Sequence, residues 1–182
     1  EAIDYTIGEN MTTKRNMANP SSMNDPDTYE GNDWSFSNDR YKNCNVMNYW
    51  FYLLAEGGTG TNDNQDQYSV QGIGTNKASE IVYKTFTSIS KHSDFANAAA
   101  QTIQKAQSLY GANSNEAIQV CNAWYAVGVG NAPCAAANPI GGNPGGGNPG
   151  GGNTSTLSVP NSVTQPNDFT VTFNTSGYQP GT

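Results

Sequence analysis

The chain has 182 residues and a formal net charge of −7, with eight Lys and Arg residues and only 13% charged residues in all. Nucleic-acid phosphates and anionic membranes are bound through Lys and Arg, so this composition excludes both classes of partner. The sequence has no long apolar run, and we therefore predict no membrane span.

The first forty residues, 1–40, are rich in Asn, Asp, Ser, Gly and Pro. Turn-forming residues recur there faster than any apolar period, so we predict an ordered loop without regular structure.

The next segment, 43–58, places Met47, Trp50, Phe51 and Leu54 at helical spacing. We predict a helix that buries this apolar stripe and stops at two consecutive glycines, which adopt the left-handed conformation at low cost. The residues that follow, 59–67, are polar, and we predict a loop.

Three later segments also show the apolar period of a buried helix. They are 75–90, 94–110 and a segment that starts at Asn113 or Ser114. We expect Thr75 to cap the first, and Asn113 with Glu116 to form a capping box on the last. Together with the central helix they predict a compact, mainly α bundle of four helices behind a long N-terminal loop.

The composition changes abruptly after residue 130. A run of G-G-N-P-G repeats cannot bury a core, so we predict a helical domain at 1–130 and a linker at 131–155. Residues 156–182 alternate as strands around Leu157 and Val159, and again around Phe169, Val171 and Phe173. Two strands are too few for an independent sheet, so this tail either opens a larger β domain or completes a sheet on another molecule.

The three cysteines, Cys44, Cys121 and Cys134, lack the spacing of a zinc site. Cys121 and Cys134 could form a disulfide if the chain after the last helix folds back onto it. The alternative is that all three are small, unreactive thiols.

Seven short motifs occur in an order that points to one family. They are IGE at 7–9, RNMANP at 15–20, DPDTY at 25–29, NYWFYLL at 48–54, GIG at 72–74 with KA at 77–78, LYG at 109–111 and AWYAVGV at 123–129. On these motifs, residues 2–130 resemble the C-terminal helical lobe of the thermolysin family of secreted zinc metalloendopeptidases. The resemblance implies the same helical fold.

The resemblance also implies where the family's zinc chemistry resides. Its zinc ligands and general base come from an H-E-x-x-H helix and a downstream Glu, in parts of the protein that precede this chain. A catalytic zinc needs three protein ligands, and His92 is the only histidine here. We therefore predict that His92 is a surface residue and that this chain holds no cofactor by itself. Zinc and calcium are expected only together with the N-terminal half.

The family's oxyanion-stabilising histidine falls on Tyr41. Asn43 keeps the family's Asn, and Cys44 replaces a Ser. A phenol does not change charge near neutral pH as an imidazole does, so we predict no catalytic residue in this chain.

Two other features of the family are retained in part. Arg15 matches the arginine that contacts the substrate carbonyl, and with Asn43 it is our predicted substrate-binding set; a structural arginine that binds loop carbonyls is the alternative. Asp4 and Glu9 match calcium ligands, but Thr6 stands where the family has another acid.

These features predict a non-catalytic, exported binding or scaffold module, secreted or at the cell surface. Two alternatives stay open. The chain is the C-terminal part of an active secreted zinc metalloendopeptidase whose H-E-x-x-H half is its partner, or it is a filament subunit that binds copies of itself through the 156–182 strands.

Overall fold

A computed structural model describes residues 3–8, 10, 14–37 and 39–134, and the strand backbones 162–165 and 169–172. In chain order the elements are β1 (Thr6–Ile7), β2 (Arg15–Asn16), a 3₁₀ helix (Pro20–Met23), α1 (Arg40–Asn43), α2 (Asn45–Glu56), β3 (Gly57–Thr61), β4 (Gln67–Gln71), α3 (Thr75–Phe86), α4 (Phe95–Tyr110), α5 (Asn115–Ala126), β5 (Ser162–Gln165) and β6 (Phe169–Thr172). The strands form three antiparallel pairs, β1 with β2, β3 with β4, and β5 with β6. The predicted mainly α fold with four long helices is confirmed. The prediction that residues 1–40 lack regular structure is wrong in part, because β1, β2 and the 3₁₀ helix lie there.

The core lies where α2 meets α5. Trp50 stacks on Trp124 with ring centroids 4.5 Å apart, and both side chains are at most 1% exposed. Around this pair the helices bury a continuous apolar cluster, which includes Val46, Leu54 and Ile81. Such burial contributes about 25 cal/mol per Å² of apolar surface and is the main stabilising term of the fold.

The central helix is shorter at its start than predicted. The chain forms the four-residue α1 first, and α2 begins at Asn45. Trp50 and Leu54 are fully buried as expected, whereas Met47 and Phe51 are only half-buried and Leu53 is buried instead. The reason is that α2 packs against α3, α5 and the β3–β4 hairpin, so its buried face is wider than one stripe and rotated from it.

Residues 59–67 do not form the predicted polar loop. They belong to a hairpin in which Gly57 pairs with Gln71 and Thr61 with Gln67. Gly57 ends α2 at φ 84° and begins the strand, and a Cβ there would lie 2.7 Å from the Gly72 backbone. The polar sequence hides this strand pair, because its only buried anchor is Val70.

The predicted helix caps are partly wrong. Gly74, not Thr75, is the N-cap of α3, and no side chain caps it. The N-cap of α5 is Ser114, whose hydroxyl accepts a hydrogen bond from the Ala117 amide at 3.1 Å. The capping box with Glu116 does not form.

The helix predicted at 75–90 ends early. Helix α3 stops at Phe86 rather than near residue 90. The side chains of Thr85, Thr87 and Ser88 each donate to a carbonyl one turn back, and such bonds compete with continued helix. His92 therefore lies in the loop before α4, exposed as predicted but not on a helix.

Cys121 and Cys134 form a disulfide, with Cα atoms 5.9 Å apart. This confirms the first of the two alternatives for the cysteines, and the chain after α5 folds back onto that helix. The remaining cysteine, Cys44, is a free, half-buried thiol.

In the tail, β5 pairs with β6. Ser162 lies opposite Thr172, and Gln165 lies opposite Phe169. The second predicted strand, at Phe169 and Val171, is confirmed. Leu157, Val159 and Phe173 lie outside the described residues, as does the linker from residue 135 onward. The division into domains at 130 and 155 stays a prediction.

Candidate functional site

Arg15 and Tyr41 are joined directly. The Arg15 Nη2 donates a hydrogen bond to the Tyr41 backbone oxygen at 2.8 Å, across 26 positions of sequence. This bond fastens the β1–β2 ribbon to the start of the helical bundle. Arg15 is half-buried, so its guanidinium is held in place without being withdrawn from the surface.

Helix α1 presents Tyr41 to the outside. Asp39 caps this helix, and its Oδ1 accepts hydrogen bonds from the amides of Tyr41 and Lys42 at 3.0 and 3.1 Å. The Tyr41 side chain is 75% exposed. The cap therefore fixes the backbone beneath the phenol and leaves the phenol accessible.

Asn43 is bound to the chain's own backbone. Its amide nitrogen donates to the Ser35 carbonyl and its amide oxygen accepts from the Ser35 amide, both at 2.9 Å. The residue is 6% exposed. These contacts join the end of α1 to Ser35, eight positions earlier in the chain. The predicted role of Asn43 in substrate binding stays a prediction.

Cys44 shares the acceptor that Arg15 uses. Its Sγ donates to the Tyr41 backbone oxygen at 3.2 Å. The Tyr41 carbonyl thus receives two donors, from a strand of the N-terminal ribbon and from the residue between α1 and α2. Sequence reasoning noted Cys44 only as a replacement, since hydrogen bonds to a backbone oxygen leave no motif.

A carboxyl group lies close to this arginine. Burial raises the pKa of Asp25, and the positive charges of Arg15 and Lys42 oppose that rise. Desolvation disfavours the carboxylate, while nearby cations favour it. Arg15 and Lys42 therefore place positive charge near the carboxyl group of Asp25.

The predicted calcium ligands are not brought together by any described contact. Asp4 is exposed, and its Oδ1 accepts from the Thr6 amide at 2.8 Å, while Glu9 lies outside the described residues. Among the residues that are described, no three His, Cys, Asp or Glu side chains are grouped to hold a metal. The calcium site stays a prediction.

The described residues also do not fit a catalytic zinc ion. Zinc of that kind needs three nitrogen, oxygen or sulfur ligands and one open position. The chain's one histidine, His92, is exposed in the loop before α4, and its amide donates to the Ser90 hydroxyl at 3.3 Å. No step of zinc chemistry can be assigned to these residues.

A cavity of about 580 Å³ opens on the inner side of this region, bordered by Asn43 and Cys44. Its other walls come from α3, α4 and the N-terminal loop, including Tyr29 and Phe95. Burial raises the pKa of Tyr29 to about 12, so this hydroxyl is neutral. No sequence motif signals the cavity, because its lining comes from separate segments.

Comparison with known proteins places these observations in a family. The family model described as the thermolysin metallopeptidase alpha-helical domain matches residues 1–129. Bacillolysin of Bacillus cereus is 35% identical over 137 aligned residues, which cover 69% of this chain and 23% of bacillolysin.

Two further relatives have the same coverage of this chain. The thermostable neutral protease NprT of Geobacillus stearothermophilus and thermolysin of Alicyclobacillus acidocaldarius are each 32% identical, over 69% of this chain and 24% of their own length. The chain therefore spans about a quarter of the length of the curated relatives it matches. In the part of the chain that the structure describes, each helix falls short of the length and apolar character needed to cross a bilayer.

Proposed function

This chain belongs to the thermolysin metallopeptidase family, and on that premise we propose that it is a non-catalytic, peptide-binding form of the family's helical domain. It binds the backbone of an extended peptide through Arg15 and does not itself supply the groups that cleave it. The proposal is supported by the placement of Arg15, whose Nη2 donates to the Tyr41 carbonyl at 2.8 Å. A structural arginine that binds loop carbonyls would make the same bond, so the proposal depends on the donors that this bond leaves free.

That bond positions Arg15 and leaves it donors for a ligand. A guanidinium has five N–H donors in a fixed plane, and the described contacts use Nη2 alone. Arg15 has no ion pair within the described residues. Its remaining donors can therefore bind peptide carbonyls with little loss of conformational entropy.

Tyr41 supports the non-catalytic part of the proposal. Stabilising an oxyanion requires a preorganised hydrogen-bond donor in a site from which water is excluded. The Tyr41 side chain is 75% exposed and therefore solvated, so it lacks that water-excluded setting. Tyr41 can donate one hydrogen bond to a bound peptide, but it does not replace an imidazolium.

Peptide binding and cleavage can be separated in one experiment on the 182-residue chain. We expect a fluorescent extended peptide to bind, and neither casein nor a quenched peptide to be hydrolysed after zinc is added. Arg15→Gln is expected to weaken binding about tenfold, as for one charge-assisted hydrogen bond. The matched control Lys14→Gln changes an adjacent exposed cation and should bind as the unaltered chain does.

Zinc-dependent turnover by this chain would overturn the proposal. Equal loss of binding in the Arg15→Gln and Lys14→Gln variants would also overturn it, because attraction would then come from overall charge rather than from a placed guanidinium.

A second candidate function is the C-terminal part of an active zinc metalloendopeptidase. It is favoured by the match over residues 1–129 and by the retained Arg15. The intact mass of native material tests it, since this candidate requires an upstream H-E-x-x-H segment in addition to the 19.3 kDa of the chain.

Export from the cell is part of our proposal, and the disulfide between Cys121 and Cys134 supports it. Disulfides persist in oxidising compartments outside the cytosol. Self-assembly through 156–182 also remains a proposal, since each strand of the β5–β6 ribbon has one edge that no described strand covers. Light scattering of the chain over a range of concentrations tests it: a constant monomer mass is the contrary result.

A further inference from the structure

The cavity of about 580 Å³ has the size of a small-molecule site. Ligand pockets in proteins are typically about 300–1,000 Å³ and are lined mainly by apolar and aromatic side chains. Here Met47 of α2, Phe86 of α3 and Ala98 of α4 supply apolar surface from three helices. The cavity is therefore bounded by rigid elements of the bundle rather than by one loop.

One wall of the cavity is a preformed aromatic cluster. The ring centroids of Tyr29 and Trp34 are 4.8 Å apart, those of Tyr29 and Phe95 are 5.4 Å apart, and those of Trp34 and Phe95 are 5.8 Å apart. All three side chains remain half-buried. Tilted and edge contacts of this kind suit a further aromatic ring, and a wall that already exists costs little to organise on binding.

The polar lining has one uncompensated charge. Asp94 is the N-cap of α4, where its Oδ1 accepts from the Asn97 amide at 2.7 Å, and the helix N-terminus offsets its negative charge. Arg40 also lines the cavity, and its side chain has no ion pair or hydrogen bond among the described residues. A free guanidinium beside an apolar wall is complementary to a carboxylate.

We propose that this cavity binds a molecule that combines an aromatic ring with a carboxylate. The ring packs on Tyr29, Trp34 and Phe95, and the carboxylate binds Arg40. Two sources share this chemistry: the C-terminal aromatic residue of a peptide, and a free arylalkanoic acid. The inference goes beyond the proposed function and fails independently of it, because Arg15 does not line this cavity.

Matched acids and amides test the carboxylate. The 182-residue chain is titrated with 3-phenylpropanoate and 3-phenylpropanamide, and with Gly-Gly-Phe as the free acid and as the amide, by calorimetry and tryptophan fluorescence. We expect each acid to bind about tenfold more tightly than its amide, because only the acid forms charge-assisted hydrogen bonds.

Variants locate the site. Arg40→Gln is expected to weaken binding of the acids about tenfold and to leave the amides unchanged. Lys42→Gln is the matched control. It removes a cation from the same short helix, and Lys42 does not line the cavity. Arg40 is exposed, Lys42 is half-buried, and neither side chain has an ion pair among the described residues, so both variants should keep the melting temperature of the unaltered chain.

Cys44 gives a second readout. Because its thiol borders the cavity, alkylation with N-ethylmaleimide should abolish acid binding, and saturating acid should slow the alkylation. Cys44→Ser removes the thiol, so treatment of this variant with the reagent should cause no further change in its binding of the acids.

The outcomes separate clearly. No binding at about 10 mM ligand, which would saturate a millimolar site, overturns the inference. Equal binding of acids and amides, or equal effects of Arg40→Gln and Lys42→Gln, overturns it as well. Tighter binding of Gly-Gly-Phe than of 3-phenylpropanoate supports the inference with a peptide terminus as the source, and the reverse order supports it with a free acid.

Discussion

Replacing Thr102 with valine tests how much the core depends on one buried hydrogen bond. The Trp124 Nε1 donates to the Thr102 Oγ1 at 2.8 Å, and both side chains are at most 1% exposed. Valine keeps the shape of threonine but leaves the indole N–H without an acceptor, which costs about 1–3 kcal/mol. The neighbouring Trp50 Nε1 already has no partner within the described residues, so the change would place a second unsatisfied indole in the same stack.

A loss of about 2 kcal/mol corresponds to a fall in melting temperature of roughly 4–8 °C for a chain of this size. Urea denaturation followed by circular dichroism measures the change in the free energy of unfolding.

Thr85→Val is the matched control for Thr102→Val. Thr85 is 1% exposed and Thr102 0% exposed, and each hydroxyl donates to a carbonyl one turn back at 2.8 Å. No side chain donates to the Thr85 hydroxyl. We expect this control to lower the free energy of unfolding by only about 1 kcal/mol, because it removes one hydrogen bond and leaves no N–H donor without an acceptor. If Thr102→Val destabilises the chain no more than Thr85→Val does, the reasoning about the indole is refuted.

Three further predictions concern the disulfide, the hydrogen bonds between Asn43 and Ser35, and an ion pair. Replacing Cys121 and Cys134 with serine should lower the free energy of unfolding by about 3 kcal/mol in urea titrations, because the cross-link closes a loop of 13 positions; an unchanged midpoint contradicts this. Asn43→Ala should lower the free energy of unfolding by about 1–2 kcal/mol and speed hydrogen exchange at the Ser35 amide, which loses its acceptor; unchanged exchange argues against this hydrogen bond. A hydrogen bond from a lysine of α3 lowers the pKa of Glu116 below 4.5, so its stabilisation is present at pH 7 and lost as pH falls through the lowered pKa. Glu116→Gln should therefore be slightly less stable than the unaltered chain at pH 7, by less than about 1 kcal/mol, and the difference should shrink as the pH falls through the lowered pKa; a difference that does not shrink as the pH is lowered contradicts the assignment.

The candidate site was predictable only in part. The motif around residues 15–20 identified Arg15, and counting along the family pattern identified Tyr41, so both positions follow from sequence. Their direct contact does not, because it joins a guanidinium to a backbone oxygen 26 positions away. The hydrogen bonds between the Asn43 side chain and the Ser35 backbone were missed for the same reason, since a backbone partner is not marked by any residue type.

The sequence by itself determined the four long helices, because apolar spacing and helix-ending glycines act within a few residues of the chain. The fold family followed from the resemblance of its ordered motifs, not from that spacing. Only the tertiary structure decided the rest. The hairpin at 57–71 is held by pairing between polar strands, the choice of Cys121 with Cys134 depends on where the chain turns after α5, and the cavity exists because segments far apart in sequence leave a gap where they meet. These features depend on contacts between residues far apart in sequence, and no local pattern predicts which distant segments come into contact.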